Sequence, residues 1–419
     1  MSPGRVSLEN RRMNNGPEPL YLDHNATTPQ TPTVTAAVVE AFEQAWGNPS
    51  SIHRTGQLAR RRVEEARAQV AGLIGAAAGE IVFTSGGSES VNAAIRSALD
   101  AAPERRLVVT SGVEHSAVRE LLAVLEPQGI EVMQLPHSEA GCVEPAALTE
   151  ILRARADEVA LVSVMWANNE TGVIEPVPEL AAICEQFGVP MHSDATQWVG
   201  KMPVDVGSVP LTMMSFAGHK FHGPKGTGVL WARAGTQVSP LVVGGGQERG
   251  RRGGTENVPG IIGLGVAAAE ARAWLEGGGH RAMPALQARF EQAVADAVPG
   301  VCVNGGTAAR MWSTSSLGFP DIEAELLLLV LSERGLDASA GSACSSGALK
   351  ESSVLEAMGH QPCQVPEARY GSVRFSWARE TTWETLARAA AIIAEGVEAV
   401  QGIEPPAEQV PQSSAAQDR

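Results

Sequence analysis

The 419-residue chain has a mass of 43.8 kDa, long enough for two domains with sizeable cores, and 44% of it is apolar, a globular value. Its formal net charge of −15 argues against nonspecific binding to nucleic acid or to anionic membranes. No run approaches 18 uninterrupted apolar residues and the arginine-bearing N-terminus has no apolar segment, so no membrane helix and no signal peptide are expected, and the expected location is the cytoplasm.

Residues 1–18 and 403–419 are rich in Pro, Ser, Gln and charge and read as disordered tails. Apolar positions 59, 63, 66, 70 and 73 predict a helix over 57–74, with Gly75 as its stop. Strands are expected at Ile81–Thr84, Leu107–Thr110, Val159–Met165, Val189–His192, Thr212–Phe216 and Val229–Trp231. Helical patterns at 88–99, 115–126, 144–155 and 178–187 separate the first of these. The alternation predicts an α/β fold with a mostly parallel sheet between helices.

From about 280 the pattern changes. A helix over 282–297, strands at Val301–Val303 and Ser315–Phe319, a helix over 323–334 and a strand at Ser372–Ser376 read as a smaller α+β unit. The expected division is a large domain over 19–275 and a small one over 276–402, with the N-terminal segment of the first contributing to the second. The five cysteines (142, 184, 302, 344 and 363) are odd in number and contain no CxxC pair, which predicts reduced thiols and no metal site.

Two segments carry the chemistry. Asp194, in His192-Ser193-Asp194-Ala195-Thr196-Gln197, ends one expected strand, and Lys220, in Gly218-His219-Lys220, follows the next. A pyridoxal phosphate site needs a lysine for the Schiff base and a carboxylate to keep the pyridine nitrogen protonated. Three further segments fall at strand ends, where open parallel sheets place ligands. Thr84-Ser85-Gly86-Gly87-Ser88-Glu89-Ser90 is a strand-to-helix turn suited to a phosphate, although such turns also serve only to change direction. His115 either caps a helix or moves protons over a flat cofactor. Asn168-Asn169-Glu170-Thr171-Gly172 is a tight turn whose amides reach a ring hydroxyl, or merely a turn. Gly263-Leu264-Gly265-Val266-Ala267-Ala268 follows no clear strand and reads as close helix packing rather than as a dinucleotide loop.

With these segments in place, the chain resembles the NifS/IscS-type cysteine desulfurases, fold-type I pyridoxal phosphate enzymes of the class V aminotransferase group, from about Tyr21 to Thr382. The resemblance is carried by those motifs together with Tyr21-Leu22-Asp23-His24-Asn25-Ala26-Thr27-Thr28-Pro29 and Gly47-Asn48-Pro49-Ser50-Ser51. It continues through Gly244 to Gly250, Arg252 to Asn257, Ser342-Ala343-Cys344-Ser345-Ser346-Gly347 and Val373-Arg374-Phe375-Ser376. It implies that Lys220 carries the Schiff base, that Asp194 meets the ring nitrogen, and that Gln197 and Asn169 contact the ring oxygen. Gly87, Ser88 and His219 would hold the phosphate, His115 would stack on the ring, and Thr255 would complete the site of the partner in a homodimer. Arg374 would clamp the substrate carboxylate, Asn25 would lie near the substrate, and the Cys344 thiolate would take its sulfur as a persulfide.

The implied reaction turns L-cysteine into L-alanine and passes sulfur to an acceptor such as an iron–sulfur scaffold, or to other thiolation. Cys344 would touch a cluster only in passing. A selenocysteine lyase or another pyridoxal phosphate reaction on the same fold is the alternative. One departure stands out: relatives commonly place serine where this chain has Ala217, so a looser grip on the phosphate is expected.

Overall fold

The computed structural model describes residues 19–340, 352–359 and 370–402. The two expected tails and Cys344 lie outside the described residues. In chain order the elements are β1 (Leu20–Tyr21), α1 (Pro32–Gln44), α2 (Arg54–Ile74), β2 (Ile81–Thr84), α3 (Gly87–Ala101), β3 (Leu107–Ser111), α4 (Ser116–Leu125), β4 (Glu131–Leu135) and α5 (Pro145–Arg155). They continue as β5 (Val159–Ser163), α6 (Val177–Gln186), β6 (Met191–Asp194), β7 (Met213–Ala217), β8 (Gly228–Ala232), α7 (Val258–Glu276) and α8 (Met283–Ala297). The chain closes with β9 (Cys302–Val303), β10 (Thr314–Pro320), α9 (Ala324–Glu333), β11 (Leu336–Asp337), α10 (Ser353–Ala357), β12 (Tyr370–Ser376) and α11 (Trp383–Gln401).

Seven strands form one sheet in the order β2-β8-β7-β6-β5-β3-β4, parallel except where β8 runs against β2 and β7. Side-chain alternation divides each strand between two cores. Val82, Val108, Leu161 and Met213 pack with α3 and α4 on one face. Ile81, Val109, Val162, Met214 and Phe216 pack with α2, α6 and α7 on the other. The expected mostly parallel α/β sheet is thus observed. Only its edge strand β4 escaped the sequence reading, because Glu131 and Gln134 are exposed there and break the apolar run.

Helix α7 explains the Gly263 and Gly265 motif. A Cβ on Gly263 would stand 2.5 Å from Val38 Cγ2 of α1, and one on Gly265 would stand 2.6 Å from Ala66 Cα of α2. Close helix packing is therefore what these glycines permit. Among the described residues α7 is the one helix long and apolar enough to cross a membrane, yet it is mostly buried against α1 and α2.

A separate core gathers Phe290, Phe319, Phe375 and Trp377 with residues from α8, α9 and α11. Phe290 meets Phe375 and Trp377 edge-on, at centroid distances of 5.9 and 5.5 Å. Leu22 belongs to this core, and β1 pairs in parallel with β11 through Leu20 and Leu336. Cys302, in β9, is disulfide-bonded, which corrects the expectation of five reduced thiols; its partner lies outside the described residues. Cys142 and Cys184 are free.

Candidate active site

A cavity of about 250 Å³ opens at the carboxyl ends of the sheet strands. It is lined by ten of the residues singled out above: Asn25, Gly87, Ser88, His115, Asn169, Asp194, Gln197, His219, Lys220 and Arg374. Thr255 is exposed and does not line it. Parallel pairing of β6 and β7 sets Asp194 opposite Ser215, and β7 then runs into the short turn holding Lys220. The two reactive side chains therefore come from adjacent strands. Lys220 Nζ donates to Asn25 O at 2.6 Å and Ala26 O at 2.9 Å, so the segment after β1 closes over the lysine.

One end of the cavity is built for an anion. Helix α3 starts at Gly87 after Gly86, which offers no side-chain cap, so the first N–H groups face outward from the helix end. A Cβ on Gly87 would stand 3.2 Å from Thr196 Oγ1 and 3.7 Å from Ala217 Cβ. Thr196 Oγ1 is buried with no protein partner among the described residues. His219 joins them, its Nδ1 3.2 Å from Thr27 Oγ1. Burial, with the charges of Lys220, Lys225 and Lys201, holds the His219 imidazole down at about 4, so it is neutral at pH 7.

At the other end Arg374, in β12, is buried and donates to Asn169 O at 2.9 Å and Asp23 Oδ1 at 2.7 Å. Its Nε and the nearby Asn169 Oδ1 are buried without partners among the described residues. His115 caps α4, with Nδ1 accepting the Ala117 N–H at 3.1 Å, so in the neutral ring the proton sits on Nε2. The capping role and the cavity position hold together.

Glu114, next to His115, was not singled out by sequence reasoning. It is fully buried and accepts from Ser111 Oγ at 2.6 Å and Met165 N at 2.9 Å. Burial, then the charges of Asp194 and Glu175, push its carboxyl from 4.5 up to about 8. Between those values the folded chain binds the proton that the unfolded chain releases, so this group makes stability fall as pH rises. The slope reaches about 1.4 kcal/mol per pH unit. Glu114→Gln, which mimics the protonated acid, should flatten that fall. Urea midpoints of both proteins from pH 5 to 8 would test it, and parallel curves would refute it.

The described residues on either side of Cys344 in sequence are held by hydrogen bonds. Ser339 exchanges backbone hydrogen bonds with Arg374, at 3.2 and 2.7 Å. Ser352 Oγ donates to buried Glu170 at 2.5 Å, and Ser353 Oγ accepts from Arg119 at 2.5 Å.

Comparison with known proteins agrees with this geometry. The profile of the aminotransferase class-V family matches residues 20–388. Cysteine desulfurase 2 of Trichormus variabilis is 43% identical over 386 residues, which cover 92% of this chain and 95% of that protein. Cysteine desulfurase NifS of Azotobacter vinelandii is 44% identical over 371 residues, 88% of this chain and 90% of that one. Among solved structures, a NifS-like protein superposes with a TM-score of 0.81 at 32% identity, covering 91% of this chain and 99% of that one. SspA in complex with cysteine gives 0.73 at 30%, covering 86% and 99%. The chain belongs to the class-V aminotransferase family, in its NifS-type cysteine desulfurase branch.

That branch uses pyridoxal phosphate. The cavity fits the cofactor in three respects: a bare helix N-terminus beside an unpartnered hydroxyl, a buried carboxylate, and a lysine lining the same space.

Proposed function

We propose that this chain is a cysteine desulfurase that converts L-cysteine to L-alanine and takes the sulfur onto Cys344 as a persulfide. The convergence of Lys220, Asp194, His115 and Arg374 on one cavity carries the reading. Pyridoxal phosphate, held there, supplies the electron sink that makes the substrate Cα–H acidic.

The residues divide the work. Gly87, Ser88 and His219 would hold the phosphate, Asp194 the ring nitrogen, and Gln197 and Asn169 the ring oxygen, with His115 beside the ring. Lys220 would hold the cofactor aldehyde and move the substrate Cα proton. Arg374 orients the substrate carboxylate beside Asn25, its unpartnered Nε ready for one more acceptor. The Cys344 thiolate attacks the substrate sulfur, the carbon–sulfur bond breaks, and its electron pair stays on the carbon that becomes the alanine methyl group.

Two wider readings belong with this. The chain works as a cytoplasmic homodimer in which Thr255 completes the partner's site. Support comes from the exposure of Thr255 and of Phe42, Trp46, Ile52 and Val243. It divides into a large domain, 19–275, and a small one, 276–402, consistent with their separate cores. The persulfide then goes to an acceptor protein, such as one that assembles iron–sulfur clusters.

The test is alanine and sulfide release from L-cysteine with reductant, for wild type, Lys220→Ala and Cys344→Ala. Equal amounts of both products from wild type and neither from the variants is the expected result. Full activity in Cys344→Ala would move the alternative pyridoxal phosphate chemistry forward.

Ala217 leaves the phosphate one hydroxyl short, but Thr196 Oγ1 lies at the same end of the cavity. Thr196→Val should weaken pyridoxal phosphate binding by about tenfold or more, as loss of a hydrogen bond to a charged group does. Ala217→Ser should tighten it. Equilibrium binding followed by absorbance reads both, and an unchanged affinity in Thr196→Val would remove Thr196 from the cradle.

A further inference from the structure

Lys201 lies in the turn after β6 and is 5% exposed. No carboxylate among the described residues pairs with it. Its Nζ donates instead to Gln197 Oε1 at 2.7 Å and to Asn25 Oδ1 at 3.0 Å. Burial first, then the charges of Lys220 and Arg374, hold its amine well below the ordinary lysine range. On another side Lys201 borders a narrow opening that it shares with Lys220, His222 and Trp312. A polar group buried on such terms is unfavourable unless its hydrogen bonds serve something.

What they serve follows from the symmetry of an amide. The oxygen and NH₂ of Asn and Gln have nearly the same shape, so only a neighbour of fixed polarity decides which way each points. The Nζ of Lys201 directs N–H groups at both side chains and so draws both oxygens. Asn25 is thereby left to donate Nδ2 to Asn169 O at 3.1 Å and Thr314 Oγ1 at 2.8 Å. Asn169 O is also the acceptor of Arg374 Nη1. Gln197 in turn donates Nε2 to Asn25 O at 3.1 Å, the carbonyl that also accepts Lys220 Nζ. Lys201 stands at the root of two branches, drawing the amide oxygens while the carbonyls of Asn169 and Asn25 draw the NH₂ groups; the first branch ends at Arg374 and the second at Lys220.

We propose that Lys201 is a positioning residue that fixes the amide orientations of Asn25 and Gln197 and, through them, the placement of Arg374 and Lys220. The assignment rests on the cofactor site described above. Lys201→Met removes the donor at nearly constant side-chain length. In enzyme loaded with pyridoxal phosphate it should raise KM for L-cysteine about tenfold, the effect of losing a hydrogen bond to a charged or buried group. It should also shift the visible absorption of the bound cofactor, measured without substrate. Lys201→Arg, which keeps a donor, should recover most of the loss.

Wild-type KM and absorption in Lys201→Met, with any change confined to Tm, would overturn the proposal. Should that variant not fold, Lys201→Gln, which keeps one N–H donor group, should give an intermediate KM, and a wild-type KM and absorption there would count equally against it. A wild-type enzyme that forms no alanine would remove the desulfurase reading instead. The absorption shift needs no substrate and would still decide the role of Lys201.

Discussion

Asp194→Asn is expected to cut alanine formation from L-cysteine by roughly 10²–10³-fold with little change in Tm, the scale on which a preorganised charge acts in a buried site. The substitution keeps shape. Asp194 is 6% exposed, and its Oδ1 accepts the Thr196 N–H at 3.0 Å, a bond that an Asn oxygen can also make. What is lost is the negative charge that the proposed mechanism sets against the ring nitrogen. Nothing nearby replaces it, because Glu114 is held protonated near neutral pH by its burial. The decisive comparison is kcat at saturating pyridoxal phosphate, with cofactor content measured in the same samples. An unchanged kcat would mean that Asp194 merely shapes the turn.

Arg374→Lys should lower kcat/KM for L-cysteine by about 2–5 kcal/mol, roughly 30- to several-thousand-fold, while cofactor content stays near normal. Arg374 uses three directions at once: Nη1 on Asn169 O, Nη2 on Asp23, and Nε without a partner. An ammonium is a single point of charge and cannot hold that fork. Asp23, whose side chain is 18% exposed, would then be poorly paired, and a lower Tm should accompany the kinetic loss. Steady-state kinetics over a range of L-cysteine would settle the matter, since an unaltered KM would take the substrate carboxylate away from Arg374.

Much of this was legible before any coordinates. Strands β2, β3, β5 and β7 are short apolar runs, and the segments that follow them carry Gly87, His115, Asn169 and Lys220. Position in the sheet therefore followed from pattern. The residues that support them were less visible. Asp23 sits 351 positions from Arg374, and Lys201 stands in a turn with no motif of its own. Their partners are set by tertiary contact, which no local period records. Glu114 is similar: a carboxylate reads as surface until burial between β3 and β5 is known. Thr255 belongs to a question of two chains rather than one. The disulfide at Cys302 was missed because an odd cysteine count carries no pairing information.

The Asp23–Arg374 contact also has a meaning for biosynthesis. At about 5–20 residues per second, the 351 residues between the two take roughly 20–70 s to synthesise. The sheet and Lys220 leave the ribosome long before Arg374 does, so under the proposed roles a nascent chain carries its lysine before its carboxylate clamp. The Asp23–Arg374 pair forms late, when β12 slots in beside β10 and delivers Arg374 to a partner made at the start of translation.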